Sequence, residues 1–200
     1  MSRTRAMRTL VPLALGAALT IPLSASAADK EPVLRLRAFA VDLTNSAHTR
    51  ILDIVIERWS TPQEVKNFQA ALSEGGDEAL LKALQRTSPR CGYVRGDVKH
   101  SNIHAASEIP MPGGGRKVVL ATDRPVWFWE ALDLSTLHEY RFSIAEIRLG
   151  PDGKGEGKAI PYAKVGFNKD TKELEILNYE TLPLRVVQVS VVGPKRAANR

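Results

Sequence analysis

Residues 139–167 read EYRFSIAEIRLGPDGKGEGKAIPYAKVGF, and this stretch says more about the fold than any other. Two runs in which apolar and polar residues alternate, 139–149 and 158–167, flank the glycine-rich connection 150–157. Alternation with a period of two is typical of β-strands, and Pro151-Asp152-Gly153 is a turn sequence. The stretch therefore predicts two antiparallel strands joined as a hairpin.

The same alternation continues on both sides of this hairpin. Turn residues separate the runs, and strands spaced this closely predict an antiparallel meander that forms a curved sheet or a barrel. The predicted strands are 33–43, 51–59, 91–95, 99–109, 116–123, 126–131, 139–149, 158–167, 173–179 and 184–192.

One helical insertion, at about 62–87, interrupts the β pattern. Thr61-Pro62-Gln63-Glu64 combines an N-cap threonine, a proline at the first helical position and a glutamate at the third. Gly75-Gly76 is expected to end a first short helix, and Asp77 to begin a second one. The predicted fold class is α+β, mostly β, with two short helices.

The first 27 residues have the pattern of a cleaved signal peptide. Arg3, Arg5 and Arg8 precede an apolar run over 10–23, and Ala25-Ser26-Ala27 supplies the small residues that signal peptidase requires. The sequence thus predicts an exported protein, periplasmic or secreted, with one mature domain over 28–200. After cleavage no segment is long and apolar enough for a transmembrane helix.

The charge and the cysteine content narrow the function classes. The whole chain carries 28 Lys and Arg against 22 Asp and Glu, but three of the arginines belong to the predicted signal peptide. The mature net charge is then only +3 and is interspersed along the chain, so no nucleic-acid partner is expected. The single cysteine, Cys91, is expected to be a buried thiol, with an intermolecular disulfide or a reactive thiol as the alternative.

No catalytic or cofactor motif stands out. His100 and His104 have the spacing of two metal ligands on a helix, but they lie in a predicted strand, where they would be too far apart for one ion. The glycine-rich connection lacks the Lys-Ser end of a phosphate-binding loop. The sequence predicts no catalytic residue, no metal site and no cofactor.

The most distinctive local sequence is DRPVWFWE, over 123–130. On a strand, Trp127 and Trp129 would share one face, with Arg124 and Glu130 near the ends. Two aromatic planes with a polar rim suit a sugar ring or an apolar ligand, and the alternative is that both close one end of the core. Arg58-Trp59 is a second basic–aromatic pair that could converge on the same place.

These observations favour a non-catalytic binding module for a small apolar or sugar-like ligand, or for an envelope partner. Its candidate ligand-binding residues are Trp127, Trp129, Arg124, Glu130, Trp59 and Arg58. Two alternatives remain open. One is an envelope enzyme that uses carboxylates such as Glu57 and Glu130 with His104. The other is a structural or inhibitory protein that acts through an exposed sheet edge.

Several of these segments also resemble those of small exported bacterial proteins without a known function. The resemblance rests on DIVIERWS (53–60), ATDRP (121–125), FWE (128–130) and GKGEG (153–157), and it spans most of the mature chain. It implies export across the inner membrane and carries over no functional residue.

Overall fold

The computed structural model describes residues 31–42, 49–96, 100–124, 142–168, 173–176 and 184–193, which contain ten strands and one helix. The bounds are β1 Leu34–Val41, β2 Thr49–Ile56, α1 Pro62–Gln85, β3 Gly92–Arg95, β4 His100–Pro110, β5 Arg116–Thr122, β6 Phe142–Leu149, β7 Lys154–Ala163, β8 Val165–Asn168, β9 Glu173–Ile176 and β10 Leu184–Val191. The predicted signal peptide (1–27) and the predicted strand 126–131 lie outside these residues.

Eight of the described strands close into an antiparallel barrel in the order β1-β10-β7-β6-β5-β4-β3-β2. Strands that follow one another in the chain pair with each other, and β10 completes the ring between β7 and β1. Ring closure pairs every edge of these eight strands. The prediction of a mostly β, antiparallel meander is confirmed, and the curved sheet is a closed barrel.

The inward face of the barrel is apolar because the strands alternate as the sequence predicts. In β1 the buried positions are Leu34, Leu36, Ala38 and Ala40, and β2 follows with Leu52, Ile54 and Ile56. We call the end of the barrel where β5 ends and β6 begins the β5–β6 end. At the opposite end, β2 leads into α1.

The prediction of two short helices is wrong. Pro62–Gln85 is one helical element, and Gly76, with φ 67° and ψ −158°, is a non-helical residue within it. Gly75-Gly76 marks this irregularity and not the end of the element. Leu72 lies before Gly76 and Leu80 and Leu84 lie after it, and all three are buried in one cluster. Packing of both parts in this cluster therefore stabilises one helical element across the irregularity at Gly76.

That second cluster is separate from the core cluster inside the barrel. The helix residues pack with Phe142, Ala163 and Val165, and half-buried Ala105, Ile144 and Ile160 border them. The helix thus packs against apolar residues of β4, β6, β7 and β8. The short sheet of β8 and β9 is separate from the barrel, and β8 contacts α1.

The predicted glycine-rich connection is shorter than expected. β7 begins at Lys154, so Gly155 and Gly157 lie inside the strand and not in the turn. A Cβ on Gly155 would be 1.9 Å from the Arg148 carbonyl oxygen, and one on Gly157 would be 2.3 Å from that of Glu146. Because these glycines have no Cβ, the backbones of β6 and β7 can approach each other closely. The predicted strand 158–167 also divides, since β7 ends at Ala163 and β8 begins at Val165.

Candidate functional site

The barrel encloses an apolar cavity in the half nearest the β5–β6 end. About 40 Å³ is open to the centres of water-sized molecules, which is space for roughly three waters or a small apolar group. Seven of the eight barrel strands line it, all except β1. The lining residues are Leu52, Ile54, Val94, Ile103, Leu120, Thr122, Ser143, Ile144, Ala145, Ile147, Ala159 and Val186.

Side-chain size explains why this half of the barrel has free space. Ala145 and Ala159 are paired neighbours on β6 and β7, so two adjacent positions carry only a methyl group. The far half is filled instead by larger buried residues, among them Leu36, Ile56 and Leu149. An eight-stranded barrel is just wide enough to be filled by side chains or to hold one small ligand.

The two polar lining residues are already hydrogen-bonded within the wall. The Thr122 hydroxyl oxygen accepts from the Ser143 backbone N–H at 3.0 Å, and it lies within hydrogen-bonding distance of the Arg124 carbonyl. Ser143 also has a further partner. The cavity wall therefore offers an incoming molecule apolar contact in the main, as expected for a site that takes hydrocarbon and not sugar.

Arg58, a predicted ligand-binding residue, anchors the start of the helix. Its guanidinium donates two hydrogen bonds of 2.8 Å to the two carboxylate oxygens of Glu64, and it also bonds the Pro89 carbonyl. Glu64 in turn accepts from the Thr61 N–H and completes the predicted capping box. The Arg58 contact holds the pKa of Glu64 below its usual range, against the opposing effect of burial. These contacts place Arg58 in a structural clamp that joins β2, α1 and the segment before β3.

The other predicted ligand-binding residues are not brought together in the described structure. Trp59 is half-buried and packs against the barrel core three residues after β2 ends. Arg124 follows β5, and its largely exposed side chain lies 3.4 Å from Asp123. Trp127, Trp129 and Glu130 lie outside the described residues. The role of this group in ligand binding therefore stays a prediction.

The described residues of the enzyme alternative, Glu57 and His104, have different partners. Glu57 accepts from Arg90 at 2.9 Å on the outer surface. His104 lies at a β-bulge of β4, and its Nε2 atom is 3.4 Å from Asp123 Oδ1, with both side chains about nine-tenths buried. Among the described residues, neither ring nitrogen of His104 has a hydrogen-bond partner. Between the described atoms of Glu57 and His104 there is no hydrogen bond or ion pair. Glu130 lies outside the described residues.

Cys91 is fully buried, as expected, and is a free thiol. Its sulfur contacts the Ser60 hydroxyl at 3.5 Å and donates to the His104 carbonyl at 3.4 Å. Burial raises the pKa of the Cys91 thiol, which disfavours the reactive thiolate. This cysteine is part of the core and not a reactive site.

The cavity is the feature that sequence reasoning missed. The alternation of strand residues identifies Leu52, Ile54 and Leu120 as one-face positions, but a filled core has the same pattern. The only signal was the small size of Ala145 and Ala159, and sequence alone did not show that they are neighbours.

Comparison with known proteins adds no functional assignment. No family model, curated protein or solved structure matches the chain. The resemblance to small exported bacterial proteins therefore stays a prediction. In the described ranges no helix is long and apolar enough to cross a membrane. Nor do three or more metal-ligating side chains gather around one point in those ranges.

Proposed function

We propose that this protein is a non-catalytic binding module that takes a small apolar ligand into its barrel. The observation that carries the proposal is the cavity itself, a partly open space inside a closed barrel whose wall is almost wholly apolar. Binding there removes hydrocarbon from water, and each buried CH₂ contributes about 0.8 kcal/mol. The bonded state of the Thr122 hydroxyl favours an apolar ligand over a sugar-like one.

The ligand carries an alkyl chain of which only a terminal segment of a few carbons enters the cavity, because the free space equals that of roughly three waters. We further propose export of the protein, with cleavage after Ala27, because the first 27 residues have the signal-peptide pattern. Mass spectrometry of the exported chain tests this: an N-terminus at Ala28 is expected, and an intact Met1 would contradict it.

Cavity filling tests the binding proposal. Ala145→Leu places three more carbon atoms in the cavity, whereas Ala70→Leu makes the same chemical change on the exposed face of α1. Submillimolar 1-octanol should raise the melting temperature of the wild-type chain and of Ala70→Leu, because a ligand that binds only the folded state stabilises it. Ala145→Leu should show no such shift.

Ala145→Val is the control for overpacking, because it adds fewer carbon atoms to the cavity than Ala145→Leu does. It should fold and show a reduced shift. Equal octanol-induced shifts in the wild type and in a folded Ala145 variant would overturn the cavity as the binding site. The absence of any shift in the wild type would overturn the proposed function.

A further inference from the structure

Arg50 occupies an inward position at the cavity end of the barrel. It lies on β2, two residues before Leu52 and four before Ile54, and residues two apart on a strand share one face. Leu52 and Ile54 both line the cavity, so Arg50 continues their row toward the β5–β6 end. The residue paired with Arg50 on β1 is Ala40, which is fully buried. Its small methyl group leaves room for the long side chain of Arg50.

This arginine differs from the other basic residues of the neighbouring strands in the face of the barrel wall on which it lies, not in lacking a partner. Arg37 and Arg95 share the outward-facing carboxylate of Asp53, and Arg185 pairs with Glu156 on the outer surface. Among the described strand residues at this end of the barrel, Arg50 is the one charged side chain at an inward position. It is half-buried, whereas Arg35, on the outward face of β1, is exposed.

Thr122 and Ser143 also line the cavity, but they are hydrogen-bonded within the wall, and the rest of the lining is hydrocarbon. The site is thus graded from an apolar interior to an end at which Arg50 supplies a cation. From this gradation we infer that the ligand is a single-chain amphiphile with an anionic group at one end, carboxylate or phosphate, bound by Arg50. The inference rests on the proposed function, since it requires the chain to occupy the cavity.

The guanidinium is suited to this role. It has five N–H donors, and one of them bonds the Thr49 carbonyl at 3.3 Å. Arg50 also has a further interaction within the protein. Asp42, the residue that follows β1, has an interaction within the protein too. Because a guanidinium can bind a carboxylate or phosphate through two parallel hydrogen bonds, an anion can share Arg50 with these contacts.

Matched ligands and matched variants test the inference. Octanoate and 1-octanol have the same chain, so calorimetric affinities compare a charged head with a neutral one. The variants are Arg50→Gln and Arg35→Gln, the second of which removes the same charge from the outer surface. Octyl phosphate extends the comparison to the second anionic head.

We expect the wild type to bind an anionic ligand about tenfold more tightly than 1-octanol, since hydrogen bonds to charged groups contribute more than neutral ones. Arg50→Gln should lose this preference and keep its octanol affinity, and Arg35→Gln should match the wild type. The inference is overturned if the wild type binds octanol as tightly as either anion, or if Arg50→Gln keeps the preference. Failure of the proposed function is distinct, because then octanol would not bind at all.

Discussion

At the scale of single residues, the strand face to which a side chain belongs determines its role. Leu52 and Ile54 are cavity residues and Ile51, the residue before Leu52, is exposed, although the three are similar in chemistry. This alternation could be predicted from the sequence. The roles of Arg58 and Arg50 could not, because they depend on which side chains another strand or the helix places nearby. Arg58 was predicted to bind a ligand, yet its guanidinium holds Glu64, and nothing in residues 58–64 alone reveals that contact.

Gln188 gives a residue-scale prediction about stability. It lies at an irregularity of β10 with φ 50°, a conformation that costs a non-glycine residue about 1–2 kcal/mol. Glycine avoids this cost but loses about 0.5–1 kcal/mol in chain entropy. Gln188→Gly should therefore raise the free energy of unfolding by about 0.5–1 kcal/mol, measured by urea denaturation.

The same substitution in the helix provides the control. Gln69 is exposed and helical, so Gln69→Gly should lower the unfolding free energy by about 1 kcal/mol. If both variants are destabilised equally, the strained conformation assigned to Gln188 is incorrect.

At the scale of elements, α1 shows which features the local sequence predicts and which it does not. The capping box of Thr61 and Glu64 is present as predicted, because both partners lie within one turn of the chain. The continuation of the element through Gly76 was not predicted, because it depends on packing of Leu80 and Leu84 against the barrel. The division between β7 and β8 likewise depends on contacts made by distant residues.

The contribution of Glu64 to the stability of this helix start depends on pH. Its pKa is lowered by the Arg58 contact, so its ionised form stabilises the folded state above the usual carboxyl pKa, and that stability is lost as the pH falls toward the lowered value. Glu64→Gln should cost about 2 kcal/mol of unfolding free energy at pH 7. The difference from the wild type should shrink between about pH 5 and pH 3.

Glu74→Gln is the matched control, since Glu74 is exposed on the same helix. Its unfolding free energy should stay within about 0.5 kcal/mol of the wild type at each pH. A Glu64→Gln difference that is independent of pH would show that the ion pair does not contribute as described.

The β6–β7 pairing yields a third prediction. Gly157→Ala puts a methyl group 2.3 Å from the Glu146 carbonyl oxygen, so the two strands must separate. The unfolding free energy should fall by about 2 kcal/mol or more. At Gly96 an added Cβ has no atom of another described residue within 4 Å, so Gly96→Ala should change stability by less than about 1 kcal/mol. Equal effects of both substitutions on the denaturation midpoint would contradict the close approach.

At the scale of the whole molecule, closure of eight strands into a barrel creates the candidate site. A curved sheet or barrel could be predicted because the strands are short, regular and separated by turn residues. The cavity could not be predicted, because it depends on which residues of β2, β5, β6 and β7 meet inside the ring. The small side chains of Ala145 and Ala159 create space only when closure places larger residues around them.

The most direct test of the cavity is to locate a bound ligand by NMR. With isoleucine methyl groups labelled, nuclear Overhauser effects from bound 1-octanol should reach Ile54, Ile103 and Ile147, which line the cavity. They should not reach Ile51 and Ile109, which are exposed on the outside. Contacts to Ile51 or Ile109 without contacts to the three inward isoleucines would contradict an interior binding site.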